Sequence, residues 1–200
     1  MQRFKRGELI IIFFTLSYIL GFLIYYLSIK NYDFLWYIAV LLIFFALILF
    51  TLHRSKFDYI ILGGLSIWGL LHVAGGGLII QGKVLYAFEV ARLFQAGDTV
   101  LLKYDQIVHF WGFGVSALVV YHLLCPYLNN KTNWKIVFPI VVASGMGLGA
   151  LNEIIEFIAV LSFSETGVGG YYNTSFDLVF NFLGAIAAVL FIKLFNYGKR

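Results

Sequence analysis

Apolar stretches of about twenty residues recur six times along this chain, separated by short polar breaks. About 20 helical residues cross the ~30 Å hydrocarbon layer of a bilayer, so each stretch predicts a membrane-spanning helix. The spans fall near Glu8–Ser28, Phe34–His53, Phe57–Ile80, Asp105–Leu128, Ile136–Phe163 and Phe176–Tyr197. The basic preface Arg3, Lys5 and Arg6 resembles that of a signal peptide. The apolar run after it is too long and lacks an A-x-A-like cleavage site, so it reads as an uncleaved helix. The longest connection, Gln81 to Tyr104, holds the run Tyr86 to Phe94, apolar-periodic with Glu89 and Arg92 three apart. That run fits a short interfacial helix between the third and fourth spans. The pattern as a whole predicts an all-α integral membrane protein, a six-transmembrane-helix bundle forming a single domain over 1–200. Within it, 1–56 is a two-helix part without signature and 57–200 a four-helix part that carries the polar residues.

Composition sharpens this reading. The 200 residues are 62% hydrophobic and only 12% charged, against roughly 25% charged in soluble domains. The net charge of +4 comes from basic residues at helix ends, which makes it topology information rather than a nucleic-acid surface. Ten of the 14 Lys and Arg lie at the two termini and in the second and fourth loops. The positive-inside rule then places both termini in the cytoplasm. The single cysteine, Cys125, excludes an intramolecular disulfide and any cysteine-based metal cluster.

Against this apolar background, four stretches carry acids, histidines and asparagines: Leu71 to Gly77, Tyr104 to Phe110, Asn152 to Phe157 and Asp177 to Asn181. An ionisable group in mid-bilayer costs about 2.5–3.5 kcal/mol on insertion scales, so each needs a partner, water or a task. With both termini inside, the third and fifth helices run outward and the fourth and sixth inward, which brings all four stretches to one level at the outer face. The pairs Asp105/His109, Asn152/Glu156 and Asp177/Asn181 are each four apart, and Glu153/Glu156 three apart, so each pair shares a helix face. A carboxylate placed to orient an imidazole suits acid–base chemistry and metal second shells. Carboxylates with one or two histidines also suit a divalent metal ion.

Each of these residues has a plainer use. His72 can hydrogen-bond a neighbouring backbone, Asp105 and Asp177 can cap helices, Asn152 and Asn181 can join helices, and Glu153 can face the rim. Glu156 and His109, set among Ile, Val, Phe and Trp, fit such uses least. Gly145 and Gly149, with Gly147 between them, form a close-packing seam. Gly75-Gly76-Gly77 is expected to unwind the end of the third helix. A short internal repeat aligns Asp105-x-x-x-His109-Phe110-x-Gly112 with Asp177-x-x-x-Asn181-Phe182-x-Gly184, which suggests two similarly oriented hairpins with the site between them.

Three strings together resemble the YjdF-type inner-membrane proteins and, more distantly, the VanZ-like membrane proteins. They are Tyr104-Asp105-x-x-x-His109-Phe110-x-Gly112-Phe113, Asn152-Glu153-x-x-Glu156 and Tyr172-x-Thr174-x-x-Asp177-Leu178-x-x-Asn181-x-x-Gly184-Ala185. The resemblance covers about Gly69 to Ala185. This chain departs from the pattern at Asn173, where an acidic residue is usual, and it lacks the VanZ-like glutamine after the glutamate. The resemblance implies a multi-pass protein of a prokaryotic cytoplasmic (inner or plasma) membrane, whose VanZ-like relatives are associated with glycopeptide resistance.

The residues suggest an envelope hydrolase or transferase acting on a lipid or lipid-linked substrate, with the bilayer itself as partner and no nucleic acid. Glu156 and His109 are the expected acid–base pair, with Asp105 orienting His109. His72, Asn152, Glu153, Asp177 and Asn181 are the expected ligand-binding groups, and His72, His109 and Asp177 the candidate ligands of a divalent metal. The alternatives are a cation- or proton-coupled transporter and a non-catalytic envelope or drug-resistance factor whose polar cluster only locks helices together.

Overall fold

The computed structural model describes residues 4–32, 34–96, 99–100, 102–129, 131–162 and 170–198. Its six long helices are α1 (Arg6–Ser28), α2 (Leu35–Ser55), α3 (Tyr59–Gly77), α4 (Tyr104–Leu124), α5 (Trp134–Ser162) and α6 (Tyr171–Phe195). All six are long and apolar enough to cross a membrane. Large apolar side chains such as Phe13, Phe50 and Leu194 are exposed on them, as lipid contact requires and water would penalise. The expected end of the fifth span at Phe163 lies outside the described residues.

The chain divides into two compact units, Met1–Tyr86 and Ala87–Arg200. In the first, α1 and α3 run parallel. Thr15 Oγ1 lies 2.6 Å from Ser66 Oγ, the Tyr18 hydroxyl donates to the Ser66 carbonyl at 3.0 Å, and the Tyr26 hydroxyl donates to the Val73 carbonyl. α2 runs the other way, with Phe34 against Gly76 and Leu41 against Gly69. The third helix therefore packs with the first two, whereas the sequence grouped it with the last three.

The glycine triplet is not unwound. It stays helical to Gly77, because its bare backbone seats three aromatic rings: Tyr86 at Gly75, Phe34 at Gly76 and Tyr26 at Gly77. The third span then ends three residues before the expected Ile80, where β1 (Ile79–Ile80) turns through Gln81 and Gly82 into β2 (Lys83–Val84). Both turn residues have positive φ, 52° and 78°, as a two-residue hairpin turn of the type I′ kind demands.

The interfacial helix expected over Tyr86–Phe94 is absent. Helical geometry there is confined to one 3-10 turn, Leu85–Ala87. Beyond it the backbone is tied sideways to the approach to α4: Glu89 bridges Lys103, the Val90 N–H donates to the Leu102 carbonyl at 2.9 Å, and the Tyr104 N–H donates to the Phe88 carbonyl at 2.9 Å. Cross-chain hydrogen bonds thus replace the helical ones that the periodicity suggested. A second two-residue pair, β3 (Gln95–Ala96) with β4 (Thr99–Val100), lies within the same connection.

Candidate functional site

The second unit repeats the plan of the first: α4 and α6 parallel, α5 antiparallel to both. Gly114 and Gly184 bring the backbones of α4 and α6 into contact, while on α5 Gly145 meets Ala117 and Ala185, and Gly149 meets Asn181. The seam expected at Gly145 and Gly149 is real, and Gly147 between them faces open space. This arrangement gathers the first turns of α4 and α6 and the later part of α5 at one end of the unit.

There the side chains converge on His109. Its Nδ1 lies 3.0 Å from Asn181 Oδ1 and 3.4 Å from Glu153 Oε1. Its Nε2 lies 3.6 Å from Asp105 Oδ1 and 3.6 Å from Glu156 Oε1. Asn152 Nδ2 donates to Glu156 Oε1 at 2.6 Å, one turn along the same helix. Asp105, His109, Glu156, Asp177 and Asn181 are buried, and Asn152 and Glu153 are half-buried. The aligned positions of the internal repeat meet in space: His109 contacts Asn181, and Asp105 and Asp177 share a donor.

That donor is Asn173, which the sequence reading noted only as a departure from the family pattern and did not count among the site residues. Its Nδ2 donates to Asp177 Oδ2 at 2.6 Å and to Asp105 Oδ2 at 3.1 Å, one hydrogen for each. The signal was the four-residue spacing to Asp177. It was obscured because α6 begins at Tyr171, five residues before the expected Phe176. Gly170 launches that earlier start with a φ of 90°, a conformation glycine adopts without penalty. A second overlooked residue is Gln106. Its Oε1 accepts from the Leu102 and Lys103 N–H groups at 2.6 and 3.1 Å, so it caps α4 and releases Asp105 from that duty. Asp177 is six residues inside α6 and is no cap either.

His72 belongs to the first unit. The Tyr86 hydroxyl donates to its carbonyl at 2.7 Å and lies 2.8 Å from its Nδ1, and the rings of Tyr37, Trp68 and Tyr86 surround it. Within the second unit, the expected metal ligands His109 and Asp177 are grouped with Asp105, and His109 also groups with Glu153 and Glu156.

Among the described residues, Asp105 Oδ1, Glu153 Oε1, Asp177 Oδ1 and Asn181 Nδ2 are buried without a hydrogen-bond partner. Leaving a buried polar group unsatisfied costs about 1–3 kcal/mol. Replacing Asn173 by Leu adds Asp105 Oδ2 and Asp177 Oδ2 to that set. It is expected to lower stability by about 1–3 kcal/mol, read as a fall in the thermal midpoint of the detergent-solubilised protein, because each carboxylate loses the donor that fixes it. An unchanged midpoint would mean that the two aspartates do not depend on Asn173.

The fold defines a polytopic membrane protein, and its second unit carries a buried polar cluster built on three helices. Residues 10–197 match the family of predicted membrane proteins DUF2238, and the chain belongs to that family, the YjdF-type proteins. The match includes α1 and α2, where no signature was read. No curated protein and no solved structure matches the chain.

Proposed function

We propose that this protein is a membrane-embedded hydrolase or transferase acting on a lipid or lipid-linked substrate of the cell envelope. One observation carries the reading: His109 Nε2 faces Asp105 Oδ1 and Glu156 Oε1 at 3.6 Å each, while Asp105 Oδ1, Glu153 Oε1 and Asp177 Oδ1 accept no hydrogen bond. A cluster serving only to join helices would spend its polar atoms on one another, because unpaired groups cost stability and add no cohesion. Here three carboxylate oxygens are held around an imidazole without a hydrogen bond. Asn181 holds the ring through Nδ1, which aims Nε2 at the two carboxylates. The half-buried Asn152 and Glu153 mark the accessible side, beside the exposed apolar residues Leu151, Ile154 and Phe157 on α5. Those neighbours suit a substrate with an acyl or prenyl tail.

In the reaction, Glu156 takes the proton of an attacking water or alcohol. The oxygen so freed bonds to the substrate's phosphorus or acyl carbon, the bond to the leaving oxygen breaks, and that oxygen takes the Nε2 proton of His109. Glu156 then returns its proton to His109, with Asp105 orienting the ring. The ten basic residues on the side of the termini support a cytoplasmic position for both termini and a site that opens at the outer face. The transporter reading is weaker, because among the described residues the other end of these helices offers no comparable polar path.

The test is incubation of the protein, in nanodiscs, with a prokaryotic envelope lipid extract, followed by mass spectrometry of the lipids. The wild type is expected to convert a lipid species that folded Glu156→Gln leaves intact. Equal conversion by both would end the acid–base reading.

A further inference from the structure

We infer that Asp105, His109 and Asp177 form a divalent-metal site, with Glu156 beside the bound ion. The inference deepens the acid–base reading of the same cluster. It changes one role within that reading: with a metal ion on Nε2, His109 is a ligand, and Glu156 alone takes the proton of the nucleophile and passes it to the leaving oxygen.

Four features support it. The ligand atoms of Asp105, His109 and Asp177 lie within 4.8 Å of one another, and all three residues are buried. Asp105 Oδ1 and Asp177 Oδ1 have no hydrogen-bond partner, although the two residues are exposed by only 2% and 0%. The remaining oxygen of each, Oδ2, is held by Asn173, which fixes both carboxylates and leaves one lone-pair oxygen on each for an ion. Lastly, Asn181 Oδ1 can only accept, so it receives the Nδ1–H of His109 and the Nε2 lone pair is left facing carboxylate oxygens. In a neutral ring, a lone pair aimed at carboxylates is repulsive unless something positive joins them, which is either the proton of the acid–base reading or a metal ion. A histidine whose second nitrogen is anchored by an amide or carboxylate has the usual outer-shell arrangement of a metal ligand.

The spacing fits as well. Bonds of about 2.0–2.1 Å to imidazole and carboxylate set neighbouring ligand atoms roughly 3.3–3.4 Å apart in tetrahedral geometry, close to the 3.6 Å between Nε2 and Asp105 Oδ1. Nitrogen and oxygen donors of this kind suit zinc or another first-row ion better than calcium or magnesium. Glu153 lies on the Nδ1 side of the ring and is excluded from the metal shell. The Asn173 donor pair is therefore a positioning device for two ligands.

The experiment offers zinc to the purified wild type in detergent, removes loose metal by gel filtration and measures bound zinc by elemental analysis. About one equivalent per chain is expected. Asp105→Asn, Asp177→Asn and His109→Ala are each expected to retain less than a tenth of that, and Glu153→Gln to retain all of it. Zinc-edge X-ray absorption on the wild type requires no variant to fold. It is expected to show one imidazole nitrogen among oxygen donors at about 2.0–2.1 Å. The metal site is overturned by a folded wild type that retains no zinc, by full retention in the three ligand variants, or by a spectrum without imidazole. Glu156-dependent lipid conversion by protein stripped of metal would overturn the metal and leave the acid–base reading intact.

Discussion

Glu156→Gln is expected to lower turnover by about 100- to 10,000-fold, the usual contribution of a positioned acid–base group, with the thermal midpoint nearly unchanged. The reasoning separates the two roles of this side chain. Asn152 Nδ2 donates to Glu156 Oε1 at 2.6 Å, and a glutamine carbonyl oxygen accepts that bond equally well. The shape is also kept, so packing within α5 and against His109 is preserved. What the amide lacks is the ability to take and return a proton. A folded variant with wild-type turnover would remove Glu156 from the reaction. A large fall in stability with no activity in either protein would instead favour the structural reading, in which the cluster locks helices together.

The largest effect on stability is expected from Gly184→Ala. A methyl group built on Gly184 would overlap the Phe110 carbonyl oxygen, and would lie 2.9 Å from the Phe110 carbonyl carbon and 3.0 Å from the Gly114 nitrogen. These are backbone atoms in the middle of α4 and cannot swing aside as a side chain would. The helices would have to separate, losing the close approach that small residues provide within a membrane. Overpacking typically costs about 1–3 kcal/mol, and more where the obstacle is rigid, so a loss of at least about 3 kcal/mol is expected. Because Gly184 lies one turn beyond Asn181, separation would also pull Asn181 from His109 and impair the site. Gly147→Ala is the matched control: nothing lies within 4 Å of a methyl there, so its thermal midpoint is expected to equal that of the wild type. Thermal unfolding of both variants in the same detergent checks the pair. Equal midpoints would mean that α4 and α6 do not depend on this contact.

The sequence reveals much of the site because its cost is visible there. Charged and amide side chains in an apolar helix are conspicuous, and their spacing of three or four residues already shows which of them share a face. Asp105 with His109 and Asn152 with Glu156 could be paired this way, and positions aligned in the weak repeat do meet. Asn173 was hidden because the start of α6 depends on Gly170 and a turn that periodicity does not encode. Gln106 was hidden because capping of α4 depends on where the preceding loop arrives. The run Tyr86–Phe94 misled because it has helical periodicity, yet its backbone pairs with residues 102–104 instead.

What the sequence by itself determined is the number of spans, their approximate limits and the chemical types of the intramembrane polar groups. These are local quantities, set by apolar length and by the penalty for placing a polar group in hydrocarbon. Only the tertiary structure decided which of those groups share a site. Close glycine contacts set how near α4, α5 and α6 approach, and that approach puts four carboxylates around one imidazole. The same packing gave His72 to the first unit, against Tyr37, Trp68 and Tyr86, because the glycine triplet that follows it is a seat for aromatic rings and not a break in the helix.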